Sequence, residues 1–289
     1  PAYRADEFEF YLSDLNARGL VVEAGSTSPA VEVARKLGVQ AVFANHDYEP
    51  QAMERDAAVR GALANAGIAL HTCKDQAIFE RDEILTQIGK PYGVFTPYKN
   101  AWLKKVDGYY LKSYPVARYA ASLTARPPEH VHAIPGLREI GFEPTNLSEL
   151  KIPTGARGGQ ALFADFLHRI DRYHESRDFP AVKGPSYLGV HLRFGTVSIR
   201  QLASEAYRLT GQGSPGASVW LSELIWRDFY FQVLANFPHV ATRSFKPEYD
   251  AIRWEHGRHA EALFAAWCEG RTGYPIVDAA MAQINQTGY

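Results

Sequence analysis

Residues 218–237, SVWLSELIWRDFYFQVLANF, set a glutamate, an arginine, two tryptophans and a tyrosine at spacings that a helix gathers. At 100° per residue, Glu223, Trp226, Arg227 and Tyr230 share one face with Trp220 beside them, while Leu221, Leu224, Ile225 and Phe229 take the opposite half. A core helix excludes Glu and Arg unless they are paired, and a solvent-facing helix rarely carries two Trp. Two readings stay open. In one, Glu223 and Arg227 form an i,i+4 pair along a helix edge, with the rings tucked under neighbours. In the other, the face is a pocket wall whose rings stack a flat ligand, such as a flavin or a nucleobase, while the two charges meet its polar edge.

A second candidate lies upstream in KGPSYLGVHLRFG, residues 183–195. Backbone N–H groups and the Ser186 hydroxyl in this turn could hold an anion such as a diphosphate, helped by Lys183 and a following helix N-terminus. A plain inter-helix turn is the alternative. GQGSPG (211–216) matches a dinucleotide fingerprint only in letters: it follows a helix rather than a strand and carries Pro215, so it reads as a helix-to-helix loop. The pairs His130/His132 and His256/His259 have no third ligand at a recognisable spacing and read as solvated. No G-x-S-x-G elbow occurs. Cys73 and Cys268, the only cysteines, suit buried small hydrophobes better than a disulfide or zinc site.

The elements that would position these residues change character along the chain. Residues 3–19 read as a helix, followed by an apolar run at 20–22, a helix at 29–37, a run at 41–45, a helix from Pro50 to Ala66 and a run at 68–72. Helices alternating with buried strands predict a parallel α/β sheet. From Lys74 to Thr154, eight prolines erase both periodicities, which predicts a connector wrapping the surface between domains. After Gly158 the pattern is helix upon helix: 160–178, a helix capped by Ser198, 218–237, and two more before Tyr289. The expected domains are 1–75 (α/β), 76–155 (connector) and 156–289 (all-α).

Composition excludes other classes. The 289 residues are 46% hydrophobic and 22% charged, enough for a sizeable core, and no stretch approaches the ~20 apolar residues of a membrane helix. The opening residues lack a basic-then-apolar leader, so a cytoplasmic protein without a membrane partner is expected. A net charge of −1, from 31 basic and 32 acidic residues, gives no global case for nucleic acid; any such surface must be local.

Taken in order, RDFPAVKGPSYLGVHLRFGTVS, VWLSELIWRDFY and EGRTGYPIVDAAMAQINQTGY resemble the DNA photolyase/cryptochrome family, nearest to bacterial class I cyclobutane pyrimidine dimer photolyases. FANHDYEP and FTPYKNAWLKK resemble that family's antenna domain and connector. The resemblance implies a truncated α/β antenna domain joined to a truncated all-α FAD-binding domain. It also implies a monomer that uses blue light and reduced FAD to split pyrimidine dimers in DNA. By motif, Tyr173, Ser186, Leu188 and Gly189 resemble FAD phosphate and ribityl contacts, and Trp220 and Arg227 resemble flavin-pocket residues. Glu223 resembles the carboxyl group that bonds the dimer, and Trp226 the ring against which it packs, with Arg227 and Tyr230 on the same DNA-facing side. Trp254 resembles the outermost tryptophan of a photoreducing chain.

Some positions depart from the family pattern. Pro185 and Tyr187 replace a hydroxyl residue and its neighbour in the phosphate turn. Gln51 and Ala52 stand where folate-antenna members carry Asn-Glu, which counts against a methenyltetrahydrofolate antenna and leaves the second chromophore open. The family's first strand, its Asp-Gly-Asp flavin motif and two further electron-transfer tryptophans have no match, so a fragment is expected, one that alone binds FAD poorly and repairs nothing. A cryptochrome-type photoreceptor and a cofactor-free scaffold are the alternatives. If DNA binds, Arg193, Arg200, Arg243 and Lys246 are the candidate contacts.

Overall fold

The computed structural model of the protein describes residues 38–39, 41–114, 136–143, 146, 149–150 and 152–288. The helices and apolar run expected before residue 38, and the pair His130/His132, lie outside the described residues.

The first described elements are β1 (Ala41–Asn45), α1 (Pro50–Asn65) and β2 (Ala69–Cys73), within a few residues of their expected places. The strands pair in parallel, with Ala41 opposite Ala69 and Asn45 opposite Cys73. Pro50 opens α1, where a missing N–H costs no intrahelical bond. Val42 is buried, whereas Phe43 is exposed and stacks on His71 across the pair at 5.0 Å. Cys73, expected to be buried, is exposed, because it closes a strand whose residues alternate between faces.

The segment after β2 differs from a surface wrap. It forms α2 (Phe95–Lys105) and α3 (Gly108–Leu111), the latter capped by Asp107, which accepts the Tyr109 N–H at 2.8 Å. Ile78, Phe79, Tyr98, Trp102 and Leu111 join the same buried cluster as Phe166, Leu202, Leu221 and Ile225. Its prolines hide the helical period without preventing it: Pro97 sits in the first turn of α2, where helices tolerate proline.

The remaining described elements are helical: α4 (Gly155–Leu167), a 3-10 turn at Ile170–Arg172, α5 (Tyr173–Ser176), α6 (Gly189–Arg193), α7 (Ile199–Gly211), α8 (Pro215–Asn236), α9 (Arg258–Cys268) and α10 (Pro275–Thr287). The helix expected over 160–178 is thus broken at His168. Ser198 caps α7 by accepting the Gln201 N–H, and Ser214 caps α8 by accepting the Ala217 N–H at 3.2 Å. GQGSPG is therefore the turn between α7 and α8. A Cβ on Gly216 would run into the carbonyl oxygens of Ile170 and Asp171, so the glycine serves close packing rather than a phosphate. The 22-residue α8 is the axis of this half, packed against α2, α5 and α7.

Candidate functional site

Helix α8 carries its expected apolar side inward: Leu221, Leu224, Ile225 and Phe229 are buried. The other side is not one wall. Its five residues span about 120° of helix, and neighbouring elements divide that arc into three environments. Trp220 is only 3% exposed, packed against Phe166 at 4.8 Å and Phe163 at 6.1 Å beneath α4. This corrects the expectation that it lines the pocket. Arg227 turns the opposite way from Trp226. It donates to the Gln76 carbonyl oxygen, lies over Phe231 at 4.5 Å, and borders a cleft of about 410 Å³ with Asn45, Arg193 and Ser198. Burial lowers its pKa from the usual guanidinium value. Glu223, Trp226 and Tyr230 remain together on the accessible side.

Glu223 does not pair with Arg227, four residues on. Arg177, just beyond α5, donates to Glu223 Oε1 at 2.5 Å, and this bond raises the arginine's pKa. The same guanidinium lies 5.3 Å from the Tyr173 ring, which is 8% exposed and meets Phe166 edge-on. Burial raises the Tyr173 pKa. Tyr173, Arg177 and Glu223 thus form one continuous polar edge.

Beside that edge lies an aromatic stack. Trp226, half-buried, lies face to face with Phe95 at 3.6 Å and 8°, and layers over Tyr230 at 5.4 Å and 23°. Phe229 abuts Trp226 edge-on at 5.6 Å. Tyr230 is 63% exposed, so the stack reaches the surface.

The turn at 183–189 is held from below. Arg169 donates through Nη1 to the carbonyl oxygens of Lys183, Gly184 and Pro185 at 2.8–2.9 Å, which fixes a cation against the backbone. Tyr187 adopts φ +57° between Ser186 and Leu188, a left-handed residue of the kind that turns successive N–H groups toward one point. Ser186 Oγ accepts from Leu188 N at 3.4 Å; Leu188 is buried and precedes α6, whose first residue, Gly189, is exposed. Lys183 pairs with Asp165 at 3.0 Å while its side chain stays 61% exposed. The donor set, a hydroxyl and backbone amides over a fixed guanidinium, fits a diphosphate-bearing group.

Other expectations fare unevenly. Arg200 is 4% exposed and bound to Asp75 and the Lys74 carbonyl oxygen, so it is no DNA contact. Arg193, Arg243 and Lys246 are exposed. Trp254 is 79% exposed. His256 and His259 are exposed, and no metal-holding cluster occurs among the described residues.

Sequence reasoning missed Phe95, Arg177 and Asp228. Asp228 is 0% exposed and accepts from the backbone N–H of Ile78 and Phe79 at 3.0–3.2 Å and from Trp102 Nε1 at 2.9 Å. Burial pushes its pKa up to about 6 despite those donors. A signal was present: Asp228 falls in the middle of the apolar arc, where a charge needs partners. Phe95 and Arg177 carried none, since only folding brings them to α8.

Residues 7–119 match the family model described as DNA photolyase, and residues 220–289 match that of the FAD binding domain of DNA photolyase. A deoxyribodipyrimidine photo-lyase of Vibrio cholerae is 35% identical over 263 residues, covering 89% of this chain and 54% of that protein. A class III photolyase from Agrobacterium tumefaciens superposes with TM-score 0.78 at 30% identity, over 100% of this chain and 61% of its own. The Synechocystis cryptochrome, at TM-score 0.68 and 20% identity over 90% of this chain and 54% of its own, shares the fold. The chain spans about half the length of the curated relatives it matches.

Proposed function

Because the chain belongs to the DNA photolyase/cryptochrome family, we propose that it carries part of the machinery for light-driven repair of cyclobutane pyrimidine dimers in DNA, with FAD as cofactor. The observation that carries this reading is the accessible pair Glu223–Trp226 on α8, a hydrogen-bonding carboxylate one turn from an aromatic stack that reaches the surface. The domain limits 1–75, 76–155 and 156–289 are retained in the proposal, with the buried segment 76–111 serving as the floor on which α8 rests.

The residues present suit FAD. Ser186, the Gly189 amide and the Arg169 cation beneath them would hold its diphosphate, with Leu188, whose N–H donates to Ser186 Oγ, fixing the turn, and Tyr173 would border it. When bound, reduced FAD supplies the electron that blue light sends to the dimer. The chain's own residues bind and orient. A dimer pairs poorly with its complementary strand and is therefore cheap to extrude; Trp226 offers it a ring face, and Glu223, fixed by Arg177, offers its polar edge an acceptor. Buried Trp220, Phe163 and Phe166 stiffen α8 behind this face.

The test combines FAD titration with a blue-light assay on an oligonucleotide bearing one thymine dimer, run on the full open reading frame that contains this chain. Light-dependent dimer loss that requires FAD and disappears in E223A supports the reading. Light-independent behaviour, or repair unchanged in E223A, contradicts it.

A further inference from the structure

The dimer-stacking face of Trp226 is already taken. Phe95 covers it at 3.6 Å with the ring planes within 8°, and Tyr230 layers on the indole at 5.4 Å. We propose that Phe95 is a resident ring in the base-stacking seat, which an extruded base must displace, so that it sets the threshold for what enters. This rests on the reading of Trp226 as the stacking surface.

Three observations support displacement. Aromatic side chains favour offset or edge-to-face arrangements over a near-eclipsed sandwich, and both Trp226 and Phe95 meet Phe229 in that edge-on way, at 5.6 and 5.8 Å, so the Phe95–Trp226 sandwich is the replaceable contact of the three. Phe95 is the first residue of α2, and its N-cap, Val94, makes no side-chain capping bond and is 64% exposed. A first turn without a cap is the part of a helix that frays at least cost. The rest of α2 is pinned: Tyr98 and Trp102 are 0% and 1% exposed, and Trp102 is bonded to Asp228. The hinge thus lies between Phe95 and Tyr98, and the core need not move. Lys99, 5.9 Å from the Phe95 ring, would stay beside the vacated seat, near an arriving phosphate.

The consequence is an entry cost common to both kinds of ligand. An unmodified base gives up stacking in its strand and must also evict Phe95; a dimer, already poorly stacked and paired, meets the second cost alone. The experiment measures binding of the 289-residue chain to single-stranded oligothymidylate, with and without one cyclobutane dimer, for the parent, F95A, F95L and W226A. F95A should tighten both ligands by about 2- to 10-fold, the range of one aromatic pair, and leave the preference for the dimer unchanged. F95L, which keeps apolar bulk but removes the ring, should shift the same way and carries the test if F95A unfolds on melting. Neither should gain affinity in a W226A background. Unchanged or weaker binding by F95A and F95L, with W226A still impaired, overturns the resident-ring proposal alone. Binding unaffected by W226A, or absent throughout, overturns the stacking reading beneath it as well.

Discussion

Glu223 and Arg227 stand four residues apart, and the helix rule alone would pair them; the fold pairs neither with the other. Glu223 goes to Arg177, and Arg227 goes to the Gln76 carbonyl oxygen and Phe231. The difference is burial, since a guanidinium drawn inward seeks a carbonyl and a ring, and leaves the carboxylate to a partner on the accessible side. Separate outcomes follow. E223A should weaken binding of a dimer-bearing oligonucleotide by about 1.5–3 kcal/mol, the range for a hydrogen bond to a charged group, with E223Q intermediate because an acceptor oxygen survives. R227A should leave dimer preference intact and lower unfolding stability by about 1 kcal/mol, because it removes a part-buried hydrogen bond to the Gln76 carbonyl oxygen. Denaturant titration beside a binding isotherm separates the two.

At the level of elements, Asp228 does what no helix dipole or hydrophobic patch does: it ties α8 to the 78–79 backbone and to α2 through three donors. D228A should cost about 3 kcal/mol or more, since each orphaned buried donor costs roughly 1–3. Its pKa of about 6 lies above the ordinary carboxylate value of 3.8, so between those values the native state binds a proton that the unfolded chain lacks. The penalty of the buried charge is therefore full above about pH 6 and relieved as pH falls toward 4. Relative to D228N, which does not titrate, the parent should gain up to about 3 kcal/mol between pH 7 and pH 4. A parallel pH profile for the two proteins would contradict this assignment. Helices were legible where period and cap agreed, as at Ser198, and from period alone at the two C-terminal helices, which have no side-chain N-cap. Residues 76–111 were not, because their core positions are defined by contacts with α8 rather than by local pattern.

For the whole molecule, a net charge of −1 means that any DNA surface must be built locally. The exposed set is Arg193, Arg243 and Lys246, with Arg200 removed by its burial. Arg193 is half-committed, 3.5 Å from Glu49, so Arg243 and Lys246 are the stronger candidates. Replacing either with Ala should weaken DNA binding uniformly and lower the salt slope by about 1, without changing the preference for a dimer. The strand–helix–strand start of the described residues and the helical character of the second half were readable from periodicity. The face of α8 was readable only as a set of residue types, because period places side chains on an arc and tertiary neighbours decide which of them remain accessible.

The central claim is that Trp226 is the surface on which an extruded dimer stacks. The direct measurement is the ratio of affinities for a dimer-bearing and a dimer-free oligonucleotide, for the parent and W226A, at fixed salt. The account predicts that W226A loses about 1–3 kcal/mol of dimer binding and that its ratio collapses toward one. A W226A protein that is folded and keeps the parent's ratio would contradict it.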